Sequence, residues 1–180
     1  MQQRFRSSVG LAGTKPAHCR PTPARAFYCS ATAMQAVMLR RLRNNKESTM
    51  KTRHAACSCG QLTATVNAEP VRISICHCLA CQRRTGSVFG MQARFPAASV
   101  AVSGLSHQYQ RTGDSGGTAE FHFCPHCAAI VYYLILAQPD VIAIPVGAFA
   151  DPSFPAPTVA VYMERKHPWV QMPAGCELFD

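Results

Sequence analysis

The densest chemistry in the chain is Cys76-His77-Cys78-Leu79-Ala80-Cys81, followed at once by Gln82-Arg83-Arg84-Thr85-Gly86-Ser87. Three cysteines this close turn their sulfurs to one point only if the backbone curls around that point, which is what a bound soft cation makes it do. The spacing Cys-x-Cys-x-x-Cys reads as a zinc site. Cys76, Cys78 and Cys81 supply three thiolates, and the segment has no obvious fourth ligand of its own. A structural zinc is closed by four protein ligands, whereas a catalytic zinc keeps one position for water or substrate. The shortfall therefore points to a catalytic metal.

A second set of cysteines frames the first. Cys57-Ser58-Cys59-Gly60 lies upstream and Cys124-Pro125-His126-Cys127 downstream. Together Cys57, Cys59, Cys124 and Cys127 make the complement of a closed tetrahedral site that staples two parts of a domain together. Seven of the ten cysteines are thereby assigned. Disulfides are the alternative, but pairs this tight bridge internally only with strain, and seven is odd. The expectation is two zinc ions per chain, one structural and one catalytic.

The elements that must position these sulfurs are strands. Gln61–Asn67 alternates with period two and stops at Glu69-Pro70, and Val71–Cys76 delivers the three-cysteine segment, read as a loop. Ser87–Phe95 continues as a strand, Val100–Ser103 and His107–Arg111 are shorter candidates, and Thr112–Gly117 is a turn on composition. Thr118–Phe123 runs into the Cys-Pro-His-Cys knuckle. Ala129–Leu136, too short to span a bilayer, forms a hairpin with Val141–Val146, and Thr158–Met163 is the last strand. There is no long helix and no repeat. The fold class expected is a mainly β, antiparallel domain stapled by zinc.

The chain's formal charge of +9 is misleading as a whole. Residues 1–49 hold nine basic residues against Glu47, a net of +8, so residues 50–180 carry nine bases, eight acids and a net of +1. A nearly neutral domain argues against a nucleic-acid binder of the zinc-ribbon kind. The first 49 residues are rich in Arg, Ala and Ser and broken by Pro16, Pro21 and Pro23, with a short amphipathic pattern over Ala33–Arg43. They read as a disordered basic leader, either a mitochondrial or plastid transit peptide or the product of a mis-set start upstream of Met50. Cys19 and Cys29 fall there and are expected to bind nothing. The division is thus 1–49 leader and 50–180 zinc-binding β domain. Cysteines at metal spacing favour a reducing interior, cytoplasmic or, with a transit peptide, organellar.

The order Cys-x-Cys-Gly, then Cys-His-Cys-x-x-Cys with a basic pair and Thr-Gly-Ser, then Phe-Cys-x-x-Cys resembles the glutathione-dependent formaldehyde-activating enzyme family, which also includes centromere protein V-like proteins. The tail agrees, with Val146-Gly147-Ala148-Phe149, Asp151-Pro152, Ala156-Pro157 and Arg165-Lys166-His167-Pro168-Trp169-Val170. The resemblance covers roughly residues 53–173. It implies a fold of the Mss4-like type with Cys57, Cys59, Cys124 and Cys127 on the structural zinc and Cys76, Cys78 and Cys81 on the catalytic one. It also implies carbon–sulfur lyase chemistry, in which glutathione and formaldehyde form or release S-(hydroxymethyl)glutathione. The chain departs at Ala128-Ala129, where members often carry a glycine suited to a left-handed turn.

On this reading Arg83 and Arg84 compensate thiolate charge or grip a glutathione carboxylate, or else are solvated surface arginines. Thr85 and Ser87 hydrogen-bond the sulfurs or the substrate, or shape the turn at Gly86. His77 should point away from the metal and His126 to the surface, while Tyr132 and Tyr133 read as core and Trp169 as an anchor for the tail. Cys176 is expected as a free thiol. The rival reading is a non-catalytic zinc-stabilised interaction module of the centromere protein V kind.

Overall fold

Inward-facing alternation builds a small sheet against a large one. The computed structural model of the protein describes residues 51–180. The smaller sheet is antiparallel, in the order β1–β2–β5, with β1 at Arg53–Ala56, β2 at Thr63–Val66 and β5 at Val100–Ser103. Ala55, Ala64 and Val66 take the buried positions of the period-two pattern, as the strand pleat requires.

The larger sheet has eight strands in the order β11–β10–β3–β4–β9–β8–β7–β6. In chain order these are β3 Arg72–Cys76, β4 Gly90–Pro96, β6 His107–Thr112, β7 Thr118–Phe123, β8 Ile130–Ile135, β9 Val141–Pro145, β10 Val159–Val161 and β11 Glu177–Phe179. All neighbours are antiparallel except β10, which runs parallel to both β3 and β11. Ile73, Ser74, Ile75 and Cys76 of β3 are all buried, as expected of an inner strand covered on both faces. One core joins the two sheets through Leu62, Val66, Ile73, Phe95, Val131 and Ile144.

The strand reading holds, with β7 spanning the very residues expected, Thr118–Phe123. Apart from three short 3-10 turns at Ala97–Ser99, Val146–Phe149 and Met163–Arg165, three elements escape it. β1 and β11 are four and three residues long, too short for alternation to register. The third is a correction: the three-cysteine segment is no simple loop but opens a helix, α1, over Leu79–Thr85. Seven residues give less than two full turns of periodicity, so the helix is not visible as a pattern. The leader, its helical pattern over 33–43, Cys19 and Cys29 lie outside the described residues.

Candidate metal centres and cysteine cavity

The two paired motifs sit in turns that bring the sheets together. Cys57 and Cys59 occupy the β1–β2 turn of the small sheet, and Cys124 and Cys127 the β7–β8 turn of the large one. Their four sulfurs lie within 4.8 Å of one another. Cys57 Sγ is 3.5 Å from Cys59 Sγ, which is 3.6 Å from Cys124 Sγ. A tetrahedron of sulfurs about 2.3 Å from zinc has edges of about 3.8 Å, so the cluster closes on a metal with small adjustment.

Donors are aimed at these sulfurs. Leu62 N–H donates to Cys57 Sγ at 3.2 Å, His126 N–H to Cys124 Sγ at 3.4 Å and Gln61 Nε2 to Cys124 Sγ at 3.5 Å. Burial pushes the Cys57 thiol up, but the Leu62 N–H and the neighbouring sulfurs outweigh it and bring it down to about 6. Such a set of N–H donors favours thiolates, the form a metal needs.

The knuckle takes its left-handed turn without a glycine. Ala128 has φ 58° and its N–H donates to Cys124 O at 2.9 Å, so the departure at Ala128-Ala129 leaves the geometry intact at the cost of strain. His126 is exposed, as expected.

The second cluster forms where β3 ends. Cys76 is held between Gly90 of β4 and Val161 of β10, and His77 N–H continues the parallel ladder to Val161 O at 3.0 Å. The chain then turns into α1, whose N-cap is Cys78: its sulfur accepts the Cys81 N–H at 3.3 Å, the role a serine oxygen plays elsewhere. One helical turn thereby places Cys81 beside Cys78. Gly86, at φ 64°, ends the helix with its N–H on Gln82 O. The sulfurs of Cys76, Cys78 and Cys81 also lie within 4.8 Å of one another, and no fourth Cys, His, Asp or Glu joins them among the described residues. Both clusters could hold a metal ion.

These sulfurs open onto a cavity of about 210 Å³. Arg84 lies over the rings of Phe121 and Tyr133, 5.0 and 5.8 Å from their centroids, with its guanidinium 4.0 Å from Cys81 Sγ. The hydrogen bond with Cys76 and the Arg84 charge bring the Cys81 thiol down to about 5 against the effect of burial, while Cys76 is pushed up. Arg94 and Arg111 also line the cavity, and none of the three arginines has a carboxylate partner among the described residues. Gln92 donates to Ser74 Oγ at 2.9 Å and keeps a buried Oε1 without a partner.

Arg84 is the one member of the predicted set Arg83, Arg84, Thr85 and Ser87 that lines this cavity. Arg83 projects from α1 into a neighbouring groove. Thr85 Oγ1 lies 2.9 Å from both Cys81 O and Phe89 O and accepts the Ser87 N–H, which is the turn arrangement around Gly86. Ser87 is exposed. His77 turns its fully buried ring away from the cluster, edge-on to Phe89, where burial lowers its pKa.

The tail supplies what the sequence reading missed. Tyr162 lines the cavity at φ 58°, a left-handed conformation rare for an aromatic residue, and Arg165 lies 5.2 Å over its ring. Arg165 also pairs with Asp114, which lines the cavity from the β6–β7 turn, so the pair straps the tail to that wall. Tyr133, expected as core, is buried yet faces this cavity, and burial holds its phenol above the ordinary range. Trp169, expected to anchor the tail, is 67% exposed, and Val170 is buried instead. Cys176 is a free thiol. The tail motif Arg165–Val170 was the only sequence signal for this wall, and it carried no position.

Among the described residues no helix is long and apolar enough to cross a membrane. No curated protein matches the chain. A crystal structure of a Rhodobacter sphaeroides protein matches 55% of this chain and 91% of its own at 21% identity, with a TM-score of 0.44. The family model described as glutathione-dependent formaldehyde-activating enzyme matches residues 52–165, a span that contains both cysteine clusters, the strands that carry them and Arg165 of the strap. With that match over most of its length, the chain belongs to the glutathione-dependent formaldehyde-activating enzyme family.

Proposed function

We propose that the protein is a zinc-dependent carbon–sulfur lyase-like enzyme that joins the glutathione thiol to formaldehyde, giving S-(hydroxymethyl)glutathione, or splits that adduct. One observation carries this reading: three cysteine sulfurs converge on the wall of a cavity with no fourth protein ligand among the described residues. Zinc is the metal that thiolate sets of this kind favour, closed at Cys57, Cys59, Cys124 and Cys127 and open at Cys76, Cys78 and Cys81. When bound at the open set, zinc supplies a soft Lewis-acid position that lowers the pKa of a substrate thiol.

The chain's own residues do the rest. Arg84 balances the negative charge of three thiolates, and Arg94 and Arg111, each with one nitrogen held by Gln138 Oε1 or Thr112 O and neither with a carboxylate partner among the described residues, offer planar guanidinium groups to a glutathione carboxylate. At about 210 Å³ the cavity is smaller than sites that enclose whole ligands of about 300–1,000 Å³, so it holds the thiol and aldehyde while the peptide ends lie on its rim. As the sulfur–carbon bond forms, the carbonyl pair moves to oxygen, and the neutral Tyr133 hydroxyl is the group suited to protonate it. The thiol proton is lost to solvent and the phenol is restored from it. Holding thiol and aldehyde together in one cavity supplies much of the rate.

Metal analysis with turnover of glutathione and formaldehyde tests the reading. The wild type should bind two zinc ions; Cys78→Ser should lose one zinc and turnover while keeping the fold, and Cys124→Ser should unfold. One zinc per chain and no thiol binding would overturn it in favour of an interaction module.

A further inference from the structure

Behind Arg84 the cysteine cavity has a neighbour that glutathione and formaldehyde do not explain. A groove of about 690 Å³ runs between α1, β6 and β7, and Arg84, Arg111 and Phe121 line both spaces. Its remaining walls include Arg83, Tyr109, Phe123 and Ile130, with no acidic residue among the lining. Arg83, Arg84 and Arg111 have no carboxylate partner among the described residues, although the domain holds nearly as many acids as bases. Arg84 Nε is buried without a hydrogen-bond partner. Tyr109 is 60% exposed, so the groove is open to solvent along one edge.

Aromatic faces beside unpaired guanidinium groups suit one kind of molecule, an anion on an apolar body. Glutathione is a polar tripeptide and formaldehyde has one carbon, so neither would fill an apolar space of this size. We propose that the groove is a subsite for the hydrocarbon chain and terminal carboxylate of an aldehyde longer than formaldehyde, whose carbonyl carbon reaches the cysteine cavity past Arg84. The inference rests on the aldehyde–thiol reading of that cavity. The reaction is unchanged in balance: the thiol sulfur adds to the carbonyl carbon, and the oxygen gains the proton.

Straight-chain carboxylates probe the groove without the thiol chemistry. Calorimetry on the full chain with butanoate, hexanoate and octanoate should show affinity rising about two- to fourfold per added methylene, as burial of hydrocarbon demands. Tyr109→Glu, placing a like charge at the open edge, should weaken octanoate at least about tenfold. Tyr109→Phe should bind it within about twofold of wild type, since the ring surface is retained. Octanoate should also compete with 6-oxohexanoate in glutathione-dependent turnover, at least about tenfold more strongly than it inhibits turnover of formaldehyde, which does not occupy the groove. Equal affinity across the series, or no effect of Tyr109→Glu, overturns the subsite even if glutathione and formaldehyde turn over. A dimer dissolved by Tyr109→Glu, with no octanoate binding, assigns the groove to a second copy and overturns it too. Octanoate binding without any thiol-dependent turnover would instead defeat the aldehyde reading on which the inference rests.

Discussion

Ala128 and Gly90 show how single side chains limit this site. Ala128 holds φ 58° in the knuckle of the four-cysteine cluster, where an L-residue with a Cβ is disfavoured by about 1–2 kcal/mol. Glycine relieves that strain and gives back about 0.5–1 kcal/mol in unfolded-state entropy. Ala128→Gly should therefore stabilise the protein by about 0.5–1 kcal/mol, seen as a higher denaturation midpoint with unchanged slope. Gly90 is needed for space. A Cβ there would lie 3.0 Å from an Arg84 guanidinium nitrogen and 3.3 Å from Cys81 Cβ. Gly90→Ala should displace Arg84 and Cys81, costing about 1 kcal/mol or more in stability and weakening metal at the three-cysteine site, with the four-cysteine site still loaded. Metal analysis of the variant checks this.

At the scale of elements, the cavity is an assembly of strand ends and one short helix. β3 delivers Cys76, α1 delivers Cys81 through its capped first turn, and Gln82 Nε2 ties the helix to the tail through Arg165 O at 3.2 Å. The pair Asp114–Arg165 then straps the tail to the β6–β7 turn, and the hydrogen bond from Arg165, with its charge, holds the Asp114 carboxyl below the usual range. Both side chains are partly in water, so the pair adds little to global stability. Its effect is local. Asp114→Asn should leave the melting temperature nearly unchanged while raising KM for glutathione several-fold, because the cavity wall loses its strap. A lowered melting temperature with unchanged KM would show that the strap serves the fold instead.

For the molecule as a whole, the distribution of charge matters more than its sum. Residues 50–180 carry a net of only +1, yet Arg84, Arg94 and Arg111 meet at one cavity and Arg83 flanks it. An anionic substrate such as the proposed glutathione would be drawn to a local positive field that the net charge conceals. Raising salt from about 0.05 M to about 0.5 M shortens the screening length from over 10 Å to a few ångströms, so KM for glutathione should rise several-fold with kcat little changed. Steady-state kinetics at the two ionic strengths measure it. A flat KM would mean that the arginines serve packing rather than substrate.

Both cysteine clusters that could hold a metal, and most strands, were legible from the sequence, because each depends on motifs of residues near one another in the chain. Thiolate pairs two or three residues apart mark a set of ligands that could hold a metal, and Thr118–Phe123 declares a strand by alternation. The grouping of Cys57 and Cys59 with Cys124 and Cys127 follows from ligand count, with no knowledge of the path between them. The cavity was not legible. Its walls come from β3, α1, β4, β6, β7, β8, the β6–β7 turn, β10 and the tail, and they meet because β10 pairs in parallel with β3, as in Val159 opposite Ser74. No local periodicity records a pairing between strands so far apart in the chain. Arg94, Arg111, Tyr133, Tyr162 and Arg165 acquire a common neighbourhood only when the sheet order is set. The sequence by itself determined which atoms could hold metal; the tertiary structure decided what faces them, because strand pairing across distant segments, and not spacing, sets which side chains share a cavity.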